Sequence, residues 1–413
     1  MAEGVGFEPT KHLTAFSGFQ DRRNRPLCHP SIWYSITRES ARRRAAEGID
    51  RARTEELVDI YEELRAHLDK HPTGAPEAPE ILEILSILFT DEEAKVAAVM
   101  PFMPMTAEKI GERAGVAPEE AKARLESLAD KGLVYAREKE DEWGYALLPV
   151  MPGIFEFPFM KGKKDETLER LAGLWDDYLH RVARVNPEDI PIARVIPIQD
   201  EIENEPQVLT YDKVYRLIDE AEVLGLAHCA CRTAFANCDA PLEACMLFDD
   251  TCTYLVDRGF ARYISKEEMK QKLKEFDEMG LVHNVNNSQD KLQFICNCCP
   301  CCCGFLRSII ELKIPNFLAT SGFLATVDEE LCNGCAVCED RCPMDAIEVV
   351  DEVARVDTDR CIGCGVCVSG CDTDTVELVR REEAPVPPAT MREFGIKTLQ
   401  NKGKLAEFIE INK

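Results

Sequence analysis

The sequence predicts a multidomain α+β protein. Its 413 residues exceed the length of an ordinary single domain. Apolar residues recur at helical spacing in the first half, and shorter segments follow them. The third observation is the placement of the 20 cysteines, because all but one lie between positions 229 and 371. We expect a helix-rich N-terminal part, a central, mainly helical cysteine-rich domain and a C-terminal domain with cysteine loops.

The first 48 residues are excluded from the predicted fold. Segments such as "GVGFEPT" show neither helical nor strand periodicity, and they resemble the reverse-strand translation of a transfer-RNA gene. We interpret residues 1–48 as a spurious or disordered extension, in which Cys28 and His29 bind nothing. The segment lacks the apolar core of a signal peptide, and no run approaches the roughly 18 apolar residues of a membrane span. We therefore expect a cytoplasmic protein with reduced thiols.

Residues 49–150 carry the pattern of a winged helix-turn-helix. Thr106 is placed to cap a helix that ends at Gly115, and Pro118 opens a second helix. "LVYAREKEDEWGYALL" then predicts a two-stranded wing. Between Thr106 and Glu142 there are seven basic and ten acidic residues, whereas a surface that follows nucleic-acid phosphates should be basic. The net charge of −26 also disfavours nucleic acid, so we expect a protein-contact or structural module.

The segments 151–225 and 226–324 are predicted to be a helical linker region and a metal-binding domain. The linker region shows an amphipathic helix and a short strand. The following domain holds eleven cysteines, of which Cys252 lies on an apolar helix face and indicates a core position. The other ten are candidate iron–sulfur ligands: Cys229, Cys231, Cys238, Cys245, Cys296, Cys298, Cys299, Cys301, Cys302 and Cys303.

Six of these thiols are crowded into "CNCCPCCC". Adjacent side chains of an extended chain point to opposite sides, so Cys298 and Cys299 are expected to serve different sites. The same holds for Cys302 and Cys303 unless the chain turns sharply, and Pro300 and Gly304 favour turns. Arg232 and Arg307 stand beside the cysteines in the sequence and are placed to offset cluster charge. Zinc sites and a regulated disulfide are the alternatives for these cysteines.

Two regular motifs follow, "CNGCAVCEDRCP" and "CIGCGVCVSGCD". Each spaces its four cysteines by two, two and three residues. Three thiolates of one run reach three corners of a [4Fe-4S] cube, and the fourth reaches the other cube. The ligands of one cluster are therefore Cys332, Cys335, Cys338 and Cys371, and those of the other are Cys361, Cys364, Cys367 and Cys342. "AIEVVDEVARVD" between the runs predicts a hairpin that turns near Asp351.

Residues 325–381 resemble the bacterial dicluster ferredoxin domain. The resemblance implies a ferredoxin-like fold with two [4Fe-4S] clusters suited to one-electron transfer, although Asp372 replaces the expected proline. Residues 55–405 also resemble a family of ferredoxin-type proteins with a winged-helix-like region, a C-x-C-R segment, the cysteine knot and a terminal dicluster domain. Residues 382–413 predict a Pro-rich linker and a tail helix that docks on the body or on a partner.

These features predict an iron–sulfur electron-transfer protein that acts as a relay module or subunit for a partner oxidoreductase. The two ferredoxin clusters would be joined by one or two further iron–sulfur clusters in the central domain. No nucleotide fingerprint, P-loop or catalytic triad is evident, and we assign no catalytic residue. One alternative is a redox-sensing iron–sulfur transcriptional regulator that uses the winged helix. Another is an enzyme whose central cluster binds substrate.

Overall fold

The computed structural model describes residues 51–163, 165–182, 190–198, 213–314 and 317–413. The predicted N-terminal extension, including Cys28, therefore lies outside the described residues. From Thr54 to Lys413 the chain forms one unit. In these ranges no helix combines the length and the apolarity needed to cross a membrane.

The N-terminal part consists of helices followed by a small antiparallel sheet. Its elements are α1 (Arg51–Leu68), α2 (Pro79–Leu88), α3 (Asp91–Ala97), β1 (Met105–Thr106), α4 (Ala107–Ala114), α5 (Pro118–Lys131), β2 (Val134–Lys139) and β3 (Glu142–Leu147). The strands pair in the order β1-β3-β2, which confirms the predicted hairpin. Gly132 ends α5 in the left-handed region, with φ of +79°. Thr106 precedes α4 as predicted, but its side chain makes no capping hydrogen bond.

The helix α6 (Glu166–Val182) packs beside α2. Its Trp175 is fully buried and meets Phe155 edge-on at 5.2 Å between ring centroids. Arg181 adds an exposed ion pair, 2.7 Å from Glu80. Because exposed pairs contribute little, the buried aromatic contact is the main attachment of α6.

The central domain is built on a six-stranded antiparallel sheet of order β4-β8-β9-β6-β5-β7. Its elements are β4 (Ala193–Val195), α7 (Val214–Glu220), β5 (Leu224–His228), α8 (Ala230–Phe235), β6 (Glu243–Phe248), α9 (Asp249–Asp257), β7 (Ala261–Tyr263), α10 (Lys266–Glu278), β8 (Val282–Asn286), β9 (Phe294–Cys298) and α11 (Gly304–Ile310). The prediction of a mainly helical domain is wrong. The strands are only three to six residues long, and "EACMLF" and "FICNC" contain few β-branched residues. Pairing with neighbouring strands fixes their conformation.

The two faces of this sheet have different surroundings. Met246 and Ile295 point to a core that includes Leu217 of α7 and Leu273 of α10. The next residue along β9, Cys296, belongs to a different packed cluster. Side chains alternate between the faces of a strand, so the thiols of β9 lie opposite the aliphatic core.

The C-terminal domain contains two antiparallel strand pairs, β10 with β13 and β11 with β12. Its elements are β10 (Phe323–Val327), α12 (Val337–Arg341), β11 (Ile347–Val350), β12 (Val353–Val356) and β13 (Val376–Arg380). The predicted hairpin is confirmed, with its turn at Asp351 and Glu352, whose φ angles are +53° and +63°. Arg341 joins this domain to the central one, since its guanidinium donates to the carbonyl oxygens of Glu278 and Asp277, each over 2.9 Å.

The tail folds back onto the N-terminal part. Its helices are α13 (Met391–Asn401) and α14 (Leu405–Ile411). Phe408 stacks on Phe102 with 5.8 Å between ring centroids, and Lys404 donates to the carbonyl oxygen of Asp69 over 2.9 Å. Docking of the tail on the body of the chain, one of the two expected outcomes, is therefore confirmed.

A buried histidine near this contact makes stability depend on pH. His67 is 6% exposed, and its Nε2 lies 2.7 Å from the carbonyl oxygen of Met100. Burial lowers the pKa of His67 from 6.5 to about 4. The unfolded chain therefore takes up this proton first, so stability is full above pH 6.5 and falls as the pH approaches 4. At pH 5 we expect the protonation equilibrium of this residue to lower the free energy of unfolding by about 2 kcal/mol.

The measurement is the unfolding temperature of the wild type and His67→Gln between pH 7.5 and 5. The variant should lose less stability on acidification, because its amide carries no titrating proton. His180→Gln is the control of opposite sign, since the Glu311 carboxylate raises the pKa of His180, and protonation of that residue stabilises the fold. Parallel pH profiles for wild type and His67→Gln would contradict the prediction.

Candidate functional site

Glycine lets the two regular cysteine loops approach neighbouring backbone. Gly334 and Gly363 lie in the left-handed region, with φ of +66° and +65°. A Cβ on Gly334 would lie 2.5 Å from the carbonyl oxygen of Glu352, and one on Gly363 would overlap that of Phe323. Both loops therefore require glycine for their path.

Cys342 joins the cysteines of the second regular run. It lines one cavity with Cys361, Cys364 and Cys367, and the backbone amide of Ala346 donates to its Sγ over 3.2 Å. Burial raises the pKa of Cys364 well above the ordinary value, and the other three thiols raise it further. The structure thus brings together the four residues assigned to one cluster, and their binding of iron stays a prediction.

The other predicted cluster has its thiols around the first regular run. Cys338 is buried and packs in one cluster with Cys332 and Cys371. Burial opposes ionisation of Cys371, but hydrogen bonds from the hydroxyls of Thr373 and Thr375, 3.5 and 3.4 Å away, lower its pKa to about 6. A thiolate is the form that binds iron. The predicted ligands here are Cys332, Cys335, Cys338 and Cys371.

Six of the ten central candidates form one group, which we call the six-thiol group. Its members are Cys229, Cys231, Cys245, Cys296, Cys298 and Cys303. Cys245 faces Cys296 across the β6–β9 pair, and the Cys245 thiol, together with burial, raises the pKa of Cys296 well above its ordinary value. The Cys298 thiol and burial likewise raise the pKa of Cys303. Cys303 in turn interacts with Cys231.

The remaining four central candidates form a second group, which we call the four-thiol group. Its members are Cys238, Cys299, Cys301 and Cys302, whose Sγ atoms all lie within 4.8 Å of one another. The Cys238 and Cys299 sulfurs are 3.6 Å apart, and those of Cys301 and Cys302 are 3.9 Å apart. Among the nineteen cysteines that the structure describes, none forms a disulfide.

The division between the groups follows the expected alternation along the knot. Cys298 joins the six-thiol group, and the adjacent Cys299 joins the four-thiol group. Cys302 and Cys303 are separated in the same way. These neighbours therefore lie in different groups, and their service of different sites stays a prediction.

Arg232 supplies positive charge to both groups. It is 1% exposed, and its guanidinium donates to the carbonyl oxygens of Pro241 and, over 2.7 Å, of Asn297. Burial alone would lower the pKa of Arg232, but the thiolates of Cys229 and Cys299 raise it above its ordinary value. Because Cys229 belongs to the six-thiol group and Cys299 to the four-thiol group, one cation offsets charge in both.

Arg307 does not serve the thiols, contrary to the prediction. Its guanidinium pairs with Asp176 at 2.6 Å and with Glu311 at 3.1 Å, and it lies 5.5 Å from the ring centre of Phe235. The helix α11 directs this side chain toward α6, where the carboxylate of Asp176 already balances its charge.

Cys252 is a core residue, as its place on an apolar helix face predicts. It is fully buried in α9, and a Cβ on Gly225 would lie 2.6 Å from its Sγ. Burial raises the pKa of Cys252 to about 12. This thiol therefore provides a matched control for substitutions in the two groups.

Asn297, which no sequence motif singles out, lies between two cysteines of β9. Its Oδ1 is 2.7 Å from His283 Nδ1, and its Nδ2 donates to the carbonyl oxygen of Ala244 over 2.8 Å. His283 Nε2 lies 3.7 Å from Asp277. Because side chains alternate along a strand, a polar residue between two cysteines faces the side opposite them, which here is the aliphatic core. The pattern "CNC" could therefore have indicated a buried hydrogen-bond network.

We expect Arg232→Met to weaken metal retention. The substitution keeps apolar volume but leaves buried thiolates without their cation. We expect this to lower the stability of the site by about 3 kcal/mol. The measurement is the rate at which an added chelator removes iron from the purified full chain. Arg307→Met is the control, since Arg307 pairs with carboxylates, and its rate should match the wild type. Equal rates for all three proteins would contradict the assigned role of Arg232.

Comparison with known proteins identifies one part of the chain. A family model described as the 4Fe-4S dicluster domain matches residues 324–372, a range that includes all eight cysteines of the two regular runs. No curated protein and no solved structure matches the chain. The C-terminal part of the chain therefore contains a ferredoxin-type domain of the iron–sulfur class.

Proposed function

We propose that the chain is an iron–sulfur electron-transfer protein that passes electrons to a partner oxidoreductase. The dicluster domain supports the iron–sulfur assignment, and its eight cysteines would hold two [4Fe-4S] clusters. Four thiolates of the six-thiol group would hold a third. When bound, such clusters supply one-electron transfer.

One observation carries the relay. Thiols of the central and C-terminal domains belong to the same packed cluster of side chains, which contains Cys298 and Cys303 together with Cys364. The cluster also includes Val282 and Val366, one from each domain. This packed cluster would give electrons a path between the six-thiol group and the adjacent ferredoxin-type cluster.

The six-thiol group has suitable chemistry for an iron–sulfur cluster. Its donors are cysteine sulfurs, two of them on buried residues and four on half-buried ones, and thiolates are the usual ligands of [4Fe-4S] clusters. Six thiols exceed the four that a cube requires, so two remain as neighbours. The nearby guanidinium of Arg232 offsets negative charge, which favours the ionised form of the ligands.

The partner is expected to present a basic surface. The chain carries a net charge of −26, and complementary charge speeds the encounter of two proteins.

The order of α3, α4, α5 and the hairpin supports a winged-helix module, but the contacts of α5 favour a role within the protein. Arg258 of the central domain lies 2.8 Å from both Glu126 and Asp130 of this helix. Tyr254 donates to the carbonyl oxygen of Ala129 over 3.3 Å. Arg124, a basic residue of the helix, is paired with carboxylates. These contacts make the redox-sensing regulator the weaker alternative.

Iron and acid-labile sulfide per chain, with EPR of the reduced protein, test the relay after anaerobic purification. Three cubes predict about twelve irons and twelve sulfides. Cys364→Ser and Cys298→Ser should each lower the count by about four, whereas the core variant Cys252→Ser should not. About eight irons in the wild type, unchanged in Cys298→Ser, would remove the central cluster from the proposal.

A gel-shift titration at low salt tests the regulator. We expect no shift of promoter-length duplexes, because Arg124 and Lys131 of α5 are already paired with carboxylates. A shift that weakens with added salt would indicate phosphate contacts and would favour the regulator instead.

A further inference from the structure

The four-thiol group differs from the iron–sulfur ligand sets in its spacing. All four sulfurs lie within 4.8 Å of one another. Two of the distances between them are 3.6 and 3.9 Å. Four thiolates placed about 2.3 Å from one tetrahedral metal ion would stand about 3.8 Å apart. The observed spacing is therefore that of thiolates that share a single ion.

A [4Fe-4S] cube requires wider spacing, because each of its thiolates binds a different iron. The same chain provides a comparison. In the described ranges, no other three or more His, Cys, Asp or Glu residues bring their ligand atoms within 4.8 Å of one another. The eight cysteines of the dicluster domain are among the residues compared. The compact spacing is thus particular to the four-thiol group.

The local chain path explains how adjacent cysteines can face one ion. Residues 300–302 form a turn at the end of β9, and the amide of Cys303 donates to the carbonyl oxygen of Cys299 over 3.2 Å. The side chain of Asn237 donates to the carbonyl oxygen of Cys301 over 2.8 Å. This bond ties the loop that carries Cys238 to the turn.

Burial and charge are consistent with a bound cation. Cys299 and Cys302 are 5% and 0% exposed, while Cys238 and Cys301 are half-buried. Four thiolates and one divalent ion leave two negative charges, and Arg232 interacts with Cys299. Without a metal, four sulfurs so close together could not all ionise, because like charges repel.

We propose that Cys238, Cys299, Cys301 and Cys302 bind one thiophilic divalent metal ion, with zinc expected, in a structural site separate from the electron relay. Tetrahedral sites with four sulfurs are typical of zinc. Four protein ligands leave no open position, so the ion fixes the loop after α8 to the end of β9 and takes no part in electron transfer.

Metal analysis of the full chain tests this site. Cells grown with iron and zinc should yield about one zinc per chain in addition to the iron. Cys301→Ser should lose most of that zinc with iron and sulfide unchanged, while Cys252→Ser keeps all three. Loss of one iron without sulfide would equally support a single-ion site. Loss of about four irons with their sulfide would overturn it, as would no loss of any metal.

X-ray absorption of the wild type provides a test that does not depend on folding of a variant. At the zinc edge we expect a shell of four sulfurs at about 2.3 Å and no metal neighbour. A shell of oxygen and nitrogen ligands would overturn the proposal. The electron relay is tested by the iron and sulfide content, and this site is tested by the zinc content. Either proposal can therefore be contradicted without the other.

Discussion

The alternation of side chains along β9 is the constraint on which the arrangement of the central domain depends. Successive residues of a strand point to opposite faces of the sheet. Cys296 and Cys298 therefore leave one face, while Asn297 leaves the other and anchors Arg232 through its carbonyl oxygen. Where β9 ends, Cys299 continues on the side opposite Cys298. A run of thiols that looks continuous in the sequence is thus divided between two sites.

Because the thiols are divided between two groups, a cation that reaches both is needed, and Arg232 supplies it. Two groups of thiolates separated by one strand place negative charge on both of its sides, and burial strengthens the repulsion between them. A guanidinium that interacts with Cys229 on one side and Cys299 on the other stabilises both. The sequence suggests that Arg307 could have the same role, but pairing with Asp176 directs it elsewhere. Which arginine serves the thiols depends on the helix that carries it.

Contacts among the N-terminal part, the central domain and the C-terminal domain hold the thiol groups in one folded unit. Arg341 of the C-terminal domain donates to the backbone after α10, and Arg258 of the central domain pairs with α5. The tail returns to the N-terminal part through Phe408. The bonds of Arg341 hold the dicluster domain against the central domain, and Cys364 and Cys298 belong to one packed cluster of side chains that spans the two domains.

The sequence by itself determined the dicluster domain, because two runs of regular cysteine spacing specify ligand loops through local backbone geometry. It also determined the turn at Asp351, the core position of Cys252 and the separation of Cys298 from Cys299, all of which follow from short-range periodicity. Only the tertiary structure decided the central sheet, because strands as short as β4 are fixed by pairing with distant segments. The tertiary structure likewise decided which distant cysteines lie beside those of "CNCCPCCC". Cys238 and Cys299 are far apart in the chain, and only the contact of the loop after α8 with the turn after β9 brings their sulfurs together.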